Sequence, residues 1–557
     1  MLSAGRSPLS SRWPVLAICI VATIVGIGLQ VLRLLHAGGL WRDEAGGVAL
    51  STLPGIGEVW QMLTHDSFPI AFPAVIHFWT LCFGDSDLGF RILGFLIDSS
   101  VLVALWWNAR LMGYHLPVIS LSLLAGNFMF IVWGSEMRAY GCAALFTILT
   151  FGLVWKFVVE RGRLSFFLAM VTAVLSAQSL YQDAFLILAI CIAGSVVCAQ
   201  RGEWKMAART LCVGLPAAIS LIPYVPKLIE AQQLFVLTKM GFNAAREWGI
   251  FNAALTFPVY PLRWLWFGLA LLAVLTSIVA WRKLSRTPPV SSADLPVFAG
   301  VTLVLGTVGF FVFRALTQMP PQPWYYVSLA TLAAPAMDAI LAGYCRRLPK
   351  TTAALLAVIG IALPMPMIVR YLKCPQTNID RIADELRTRA APEDYIVVRH
   401  WYCGLSFQRY YHGQTPWTTL PPMEDLRFHR LDQIMDRYLD GSLLTNVLAA
   451  AGRTLSSGHS VWIIDDARVA RPQFRGLQLP ERNTFNGEHP VDFSTYDLCQ
   501  GIWEQRLEQL IRGPGVTVTC VLPRADVANT TYESENLSLN KAFIPRDESA
   551  PAPGGQP

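Results

Sequence analysis

Two adjacent carboxylates follow the first long apolar stretch of the chain. Residues 13–32 contain no charged side chain, and a helix of about twenty residues is long enough to cross the hydrocarbon core of a bilayer. Asp43 and Glu44 come where the chain would leave the lipid, directly after Arg42. Carboxylates at such a boundary contribute little to packing and can exchange protons with a bound substrate. The pair therefore predicts chemistry at the membrane surface, although solvated interface residues would give the same pattern.

The composition predicts a polytopic membrane protein. The chain has 557 residues, of which 54% are hydrophobic and 15% are charged, and we expect no nucleic-acid partner at a net charge of only +6. The first apolar run is longer than the core of a signal peptide and lacks a following small-residue cleavage site, which predicts a retained helix. Hydropathy predicts about eleven spans, at 13–35, 91–108, 117–134, 139–158, 164–181, 184–200, 210–226, 262–281, 295–313, 325–343 and 351–369.

The distribution of basic residues predicts the orientation of these spans. Lys and Arg concentrate in alternate short loops, which the positive-inside rule assigns to the cytoplasm. With an odd number of spans, the N-terminus is then cytoplasmic and the tail after about residue 370 is extracytoplasmic, in a plasma or inner membrane. The basic clusters of the first half are Arg110; Lys156, Arg161 and Arg163; and Arg201, Lys205 and Arg209.

The chain divides into an apolar part and a polar tail. We expect a transmembrane domain over residues 1–370, whose first external loop, 36–90, carries the chemistry. We also expect a soluble α/β domain over 371–545 and a disordered tail over 546–557. The α/β prediction rests on strand-like runs that alternate with helix-like stretches. An oxidising compartment would permit disulfides among four tail cysteines, with no pairing favoured: Cys374, Cys403, Cys499 and Cys520.

Three further motifs follow the carboxylate pair. Residues 65–73 read His-Asp-Ser-Phe-Pro-Ile-Ala-Phe-Pro, residues 84–91 read Gly-Asp-Ser-Asp-Leu-Gly-Phe-Arg, and residues 136–140 read Glu-Met-Arg-Ala-Tyr. Together with the pair, this order resembles the GT-C glycosyltransferases of the protein mannosyltransferase and aminoarabinose transferase type. The resemblance covers residues 13–200 best. The chain departs from the family in its single, separated prolines and at residues 322–326, which lack the arginine that relatives commonly show near the end of a late span.

The resemblance implies a fold, a reaction and a set of site residues. Family members are polytopic helical proteins that transfer a sugar from a polyprenyl-phosphate donor to an envelope glycan, lipid or protein acceptor on the outer membrane face, in contact with membrane lipids. Asp43 is then the general base, Glu44 the second candidate and Asp66 a supporting or alternative acid. The implied donor-phosphate ligands are Arg91, Arg138 and Arg314, and the implied residues of the substrate cavity are Tyr140, Tyr181, Trp324 and Tyr325.

Several of these residues also have a structural interpretation. Asp66 could cap the helix that follows it, and Arg91 could extend from its helix to the lipid headgroups. Arg138 could form a local salt bridge with Glu136. Arg314 comes from the span before residues 322–326, so it could replace the arginine that relatives have there.

Two histidines of the first loop leave a divalent cation open as a cofactor. Some relatives use a metal, and His65 and His77 could ligate one. A histidine between aromatic residues, such as His77, is more often packed in a core. Aromatic residues of the tail, Trp401 and Tyr402 among them, could likewise stack on sugars or form part of a core.

Other functional classes remain open from the sequence. A related enzyme could transfer a preassembled, lipid-linked oligosaccharide instead of a single sugar. A secondary transporter or flippase would show repeated halves with broken helices near the middle of the membrane. We find no such repeat, and a transporter gives no reason for a large external domain. A catalytically inactive relative that binds a lipid-linked glycan is the third alternative.

Overall fold

The computed structural model describes residues 13–66, 68–114, 116–234, 241–283, 293–345, 350–465, 474, 476–480, 493–523 and 535–545. These residues form two compact units. The membrane unit contains the described residues up to Ala37, those from Ser51 to Ile229 and those from 241 to Lys373. The C-terminal unit contains Gly38–Leu50, residues 230–234 and the described residues from Cys374 onward. The tail for which disorder was predicted, 546–557, lies outside the described residues.

The described secondary structure of the membrane unit consists of helices joined by turns and short irregular segments. Eight of its helical segments are long and apolar enough to cross a membrane, which confirms the predicted polytopic architecture. Its helices are α1 (Trp13–His36), α3 (Ile56–Met62), α4 (Ala71–Phe83), α5 (Asp87–Leu111), α6 (Val118–Leu124), α7 (Phe128–Gly134), α8 (Tyr140–Glu160), α9 (Arg163–Ala177), α10 (Asp183–Gln200), α11 (Trp204–Cys212), α12 (Leu215–Leu221), α13 (Val225–Leu234), α14 (Ala244–Thr256), α15 (Arg263–Arg282), α16 (Asp294–Thr317), α17 (Val327–Cys345), α18 (Lys350–Ala357) and α19 (Met365–Leu372). Helix α2 (Arg42–Ser51) belongs mainly to the other unit.

Two predicted spans are interrupted in the structure. The predicted span 117–134 consists of α6 and α7, because the Asn127 side chain accepts a backbone N–H bond at 2.8 Å and caps a new helix there. The predicted span 351–369 contains a π-helical turn at Val358–Ala362, between α18 and α19. Hydropathy averages over a window of residues, so it does not register such breaks.

The C-terminal unit contains a five-stranded sheet covered by helices. The strand order is β2-β1-β3-β5-β4; the first three strands are parallel, and β5 is antiparallel to both neighbours. This confirms the predicted α/β domain. Its elements are α20 (Ile379–Arg389), β1 (Tyr395–Val398), α21 (Cys403–Tyr410), β2 (Trp417–Thr419), α22 (Leu431–Leu439), α23 (Gly441–Ser456), β3 (Val461–Asp465), α24 (Phe493–Ile511), β4 (Thr517–Leu522) and β5 (Ser538–Phe543).

Alternate residues of β1 face opposite sides of this sheet, as the pleat of a strand requires. Val397 packs with Trp503 of α24 on one side, and Ile396 packs against α20 on the other. The tail cysteines are free thiols in the structure. Cys403 and Cys499 belong to the cores on opposite sides, so the sheet itself separates them.

Candidate active site

The carboxylate pair lies in the C-terminal unit, although the sequence assigned the whole loop 36–90 to the membrane domain. The Leu40 backbone N–H donates to the hydroxyl of Tyr410. Gly38 adopts a φ of +71°, and a Cβ on it would lie 2.8 Å from Pro375 Cβ. A Cβ on Gly39 would lie 2.9 Å from the Tyr410 hydroxyl. Two glycines thus let the start of the loop approach the α/β domain closely.

Asp43 lies between two basic side chains of this unit. Its Oδ1 atom accepts a hydrogen bond from Arg42 Nε at 3.0 Å and lies 3.5 Å from His429 Nε2. The Arg42 guanidinium lies over the Tyr402 ring, 4.9 Å from its centroid. The Asp43 side chain keeps 20% of its surface exposed, so it is both held in place and accessible.

Glu44, in contrast, is fully buried. Its Oε2 atom accepts a 3.4 Å hydrogen bond from the backbone N–H of Trp41, which lies directly before α2. A carboxylate three residues into a helix that bonds back to the residue before the helix fits an N-terminal capping role. The geometry therefore favours Asp43 over Glu44 as a base.

The pair lies near the carboxyl edge of the α/β sheet. The chain leaves β1 for β2 on one side and then returns to β3 on the other, so the direction of winding changes between β1 and β3. Ligands of such sheets bind outside the carboxyl ends of the strands at this switch point. Arg399 and Tyr402 come directly after β1, and Arg399 Nη1 contacts Asp465, the last residue of β3, at 2.6 Å. Because Arg42 stacks on Tyr402, helix α2 starts at this edge.

Asp66 and Arg138 meet within the membrane unit. Arg138 Nη1 donates to Asp66 Oδ1 at 3.3 Å; Arg138 is buried and Asp66 is half-buried. The Arg138 guanidinium also lies over the Phe68 ring, 4.2 Å from its centroid. The N-terminus of α4 lies at Ala71 and receives no side-chain cap, so Asp66 does not cap that helix. Two separate sequence motifs thus contribute to one site.

Aromatic rings connect Arg138 to the late spans. Phe68 lies edge-on to Tyr140 at 5.5 Å, and Tyr140 lies 6.5 Å from Tyr325. The Arg314 guanidinium lies over Tyr325 at 5.2 Å. Of the residues that the sequence assigned to a substrate cavity, Tyr140 is buried and Tyr325 is half-buried. We call this series of contacts the aromatic row; its members, in order, are Arg138, Phe68, Tyr140, Tyr325 and Arg314.

Trp324 and Tyr181 occupy two different surroundings. Trp324 is buried and stacks on Trp133 at 3.9 Å, so it supports the neighbouring Tyr325 from within the core. Tyr181 lies between α9 and α10, with its ring 5.7 Å from that of Tyr224. Asp66 lies close enough to the Tyr181 hydroxyl to interact with it electrostatically. Tyr181 therefore lies on the Asp66 side of the aromatic row.

Arg314 has a buried acidic partner that sequence reasoning did not find. Its Nη2 atom lies 3.3 Å from Glu247 Oε1, and it donates to the carbonyl of Met319 at 2.6 Å. The Tyr326 hydroxyl donates to the same Glu247 carboxylate. Glu247 lies on α14, whose sequence contains no recognisable motif, so no sequence signal singled it out. Arg314 thus lies beside Tyr325 and is paired with a buried acid.

Arg91 lies near the Glu136–Arg138 segment. It is 6% exposed, which disfavours the alternative that it extends to the headgroups. One turn further along α5, a Cβ on Gly94 would lie 1.8 Å from the carbonyl oxygen of Ser135. This close approach places the second turn of α5 against the bend at residues 135–139.

The histidines of the first loop do not form a metal site in the described part of the chain. His77 is buried, and its Nδ1 atom lies 2.9 Å from the carbonyl oxygen of Ser51. Across the described residues, no three His, Cys, Asp or Glu side chains group as metal ligands. The donor set therefore does not fit a divalent cation there.

An apolar cavity of about 400 Å³ opens between α14, α15, α16 and α17. Among its described lining residues, Thr307 carries the one polar side chain. Phe251 lines the cavity, lies 5.3 Å from the Tyr326 ring and follows Glu247 by one helical turn. The apolar space thus begins beside the Arg314–Glu247 pair.

Comparison with known proteins gives likenesses in structure alone. No protein-family model matches the chain, and no curated protein matches it. The crystal structure of the Archaeoglobus fulgidus oligosaccharyltransferase, tethered to an acceptor peptide, is 11% identical with a TM-score of 0.47, over 82% of this chain and 69% of that one.

Two further likenesses are to ArnT from Cupriavidus metallidurans. The structure bound to undecaprenyl phosphate is 12% identical with a TM-score of 0.45, over 81% of this chain and 93% of that one. The apo structure is 12% identical with a TM-score of 0.34, over 82% and 93%. These are glycosyltransferases of the GT-C type that the sequence motifs resemble. At TM-scores below 0.5 they assign no role to any residue of this chain.

Proposed function

We propose that the protein is an integral-membrane glycosyltransferase that moves a sugar from a polyprenyl-phosphate donor to a hydroxyl of an envelope glycan, lipid or protein. One observation carries the proposal: an apolar cavity begins beside a row of aromatic rings bounded by two arginines. A lipid phosphate sugar combines the same three chemistries, namely a hydrocarbon chain, an anion and a polar ring.

The cavity suits the hydrocarbon end of such a donor. Its walls are aliphatic and aromatic side chains such as Trp266, Leu303 and Met337. Each methylene buried there would contribute about 0.8 kcal/mol relative to water, and lipid tails in the bilayer compete for the same space. Selection of the donor must therefore come from its anionic and sugar parts.

Arg138 is the leading candidate for the donor phosphate. A guanidinium offers several N–H donors in a planar fork that matches phosphate oxygens, and such charge-assisted bonds are stronger than neutral ones. Asp66 would orient this guanidinium through the bond at 3.3 Å. Arg314 is balanced by Glu247 and is 2% exposed, so we assign it to holding Tyr325 at the end of the row. Arg91 remains a further candidate.

Aromatic rings suit the sugar part of the donor. Pyranose rings present apolar C–H faces that stack on aromatic side chains, and Tyr325 and Tyr181 are the partly exposed members of the set. Their hydroxyls could donate hydrogen bonds to sugar oxygens. Which sugar is transferred would depend on this part of the membrane unit.

Asp43 is the proposed general base. As the acceptor oxygen bonds to the anomeric carbon, its proton passes to the Asp43 carboxylate. The bond between that carbon and the lipid phosphate breaks, and the phosphate leaves with the electron pair. Because the phosphate is already a good leaving group, it needs cations more than an acid.

The membrane orientation forms part of the proposal. The positive-inside rule assigns the basic loops to the cytoplasm, so the C-terminal unit would face the extracytoplasmic side of a plasma or inner membrane. Nucleotide sugars are made in the cytoplasm. A sugar carried on a lipid is therefore the donor that suits an extracytoplasmic reaction.

Purified protein in lipid nanodiscs tests the proposal. We would supply a panel of polyprenyl-phosphate sugars and diphosphate-linked oligosaccharides with envelope extract and measure sugar transfer for wild type, Asp43→Asn and Arg138→Gln. We expect Asp43→Asn to lower the transfer rate at least 100-fold and Arg138→Gln to raise the KM for the donor. Asp384→Asn and Arg209→Gln, at exposed positions, are the matched controls. Wild-type rates in Asp43→Asn would exclude Asp43 as the base, and transfer only from diphosphate-linked oligosaccharides would favour an oligosaccharide transferase.

A further inference from the structure

His429 lies beside the proposed base, within the same unit. Its Nε2 atom is 3.5 Å from Asp43 Oδ1, the oxygen that also accepts from Arg42. The two side chains are 26% and 20% exposed, so a substrate hydroxyl can reach them. His429 lies in an irregular stretch directly before α22, and no motif marks it in the sequence.

The imidazole of His429 packs against two further residues. The Trp401 ring meets it edge-on, with 6.3 Å between the centroids, and Trp401 Nε1 donates to the Tyr496 hydroxyl at 3.1 Å. A Cβ on Gly46 would lie 3.4 Å from His429 Cε1. The glycine therefore lets α2 pack directly against the ring. These contacts fix the imidazole relative to Asp43.

Because Arg42 lies beside Asp43, a second proton acceptor next to Asp43 would be useful. A cation near a carboxylate favours its charged form and so weakens it as a base. Glu535, which is buried nearby, interacts electrostatically with both Arg42 and Asp43. These charged groups and Tyr402 surround the pair. Asp43 alone would therefore hold the acceptor proton poorly, whereas an imidazole is by residue type a stronger base than a carboxylate.

We propose that His429 is a positioning residue that orients Asp43 and receives the acceptor proton from it. This inference rests on the proposed function. The acceptor O–H bond breaks as its oxygen bonds to the anomeric carbon, and the phosphate leaves with the electrons of the broken C–O bond. The proton passes to Asp43 and then to His429 Nε2.

The separate effects on kcat and KM test this assignment. The His429→Gln variant keeps an N–H donor but cannot accept the proton, so it should lower kcat about tenfold or more with an unchanged KM for the donor. His459→Gln, placed just before the amino end of β3 and so at the opposite edge of the sheet, should leave both constants unchanged. An unaltered kcat in His429→Gln would overturn the assignment.

A second measurement keeps the test independent of activity. In protein with ¹³C-labelled histidine rings, Asp43→Asn should shift the ring resonances of His429 and leave those of His459 in place. No shift at His429 would also overturn the assignment. Loss of transfer in Asp43→Asn with a normal His429→Gln would reject this inference alone, whereas normal transfer in Asp43→Asn would reject the base on which it rests.

Discussion

Arg314 of α16 and Glu247 of α14 form an ion pair that is almost completely buried, with Nη2 and Oε1 3.3 Å apart and 1% and 3% of the side chains exposed. Tyr326 and the Met319 carbonyl complete the hydrogen bonds of the pair. The pair lies at one end of the aromatic row and beside the apolar cavity. It therefore fixes the wall from which Tyr325 extends.

Removal of the Glu247 charge should destabilise the membrane unit strongly. Glu247→Gln leaves the Arg314 guanidinium buried without its counter-charge, and breaking a buried pair costs about 3–5 kcal/mol. We expect a lower midpoint of thermal unfolding in detergent. Glu58→Gln, at an exposed position of α3, is the control and should unfold as wild type does. If Glu247→Gln were as stable as wild type, the pair would not stabilise this wall.

Filling the apolar cavity should weaken donor binding without loss of the fold. Ala333 of α17 lines the cavity, and Ala333→Trp would occupy space that we assign to the polyprenyl chain. We expect at least tenfold weaker binding of polyprenyl phosphate, measured with the protein in nanodiscs. Leu275→Trp adds the same side chain at an exposed position of α15 outside the cavity lining and should bind normally. Equal binding by both variants would place the lipid elsewhere.

The sequence predicted the architecture because its signals are strong and local. Long apolar runs predicted the spans, and the alternation in the tail predicted the α/β domain. The family resemblance also implied that Asp66, Arg138, Tyr140 and Tyr325 belong to one site. In the structure Arg138 contacts Asp66, and the ring of Tyr140 lies 6.5 Å from that of Tyr325. The breaks at Asn127 and Val358–Ala362 are too short to affect a hydropathy window.

The remaining site residues depend on contacts between distant parts of the chain. Glu247 and His429 carry no local pattern, because each is selected by a partner on another element: Arg314 in one unit and Asp43 in the other. The packing of Gly38–Leu50 on the α/β domain was likewise not predictable, since the loop follows the first span directly. Charge balance within a buried site, which pairs Arg314 with Glu247, is visible only in three dimensions.

The start of the first loop should tolerate no side chain at Gly38. Its φ of +71° is unfavourable for other residues, and a Cβ there would lie 2.8 Å from Pro375 Cβ. Gly38→Ala should therefore move helix α2 and lower the transfer rate, with a cost in stability of about 1 kcal/mol or more. Gly57→Ala is the matched control, because it lies in α3 with open space around it. An unchanged transfer rate in Gly38→Ala would show that the position of α2 does not limit catalysis.

Glu535 should make the stability of the C-terminal unit depend on pH. Burial raises the pKa of its carboxyl from 4.5 to about 7, although hydrogen bonds from Ser406 and Thr377 lower it. Because the folded pKa lies above the unfolded one, the stabilising contribution is complete below pH 4.5 and is lost as the pH rises to about 7. The loss amounts to about 3 kcal/mol. Unfolding midpoints of Glu535→Gln, which imitates the protonated acid, should therefore increase relative to wild type over this range. Exposed Glu393→Gln should follow wild type at every pH, and a Glu535→Gln variant that also followed it would show that Glu535 does not titrate in this window.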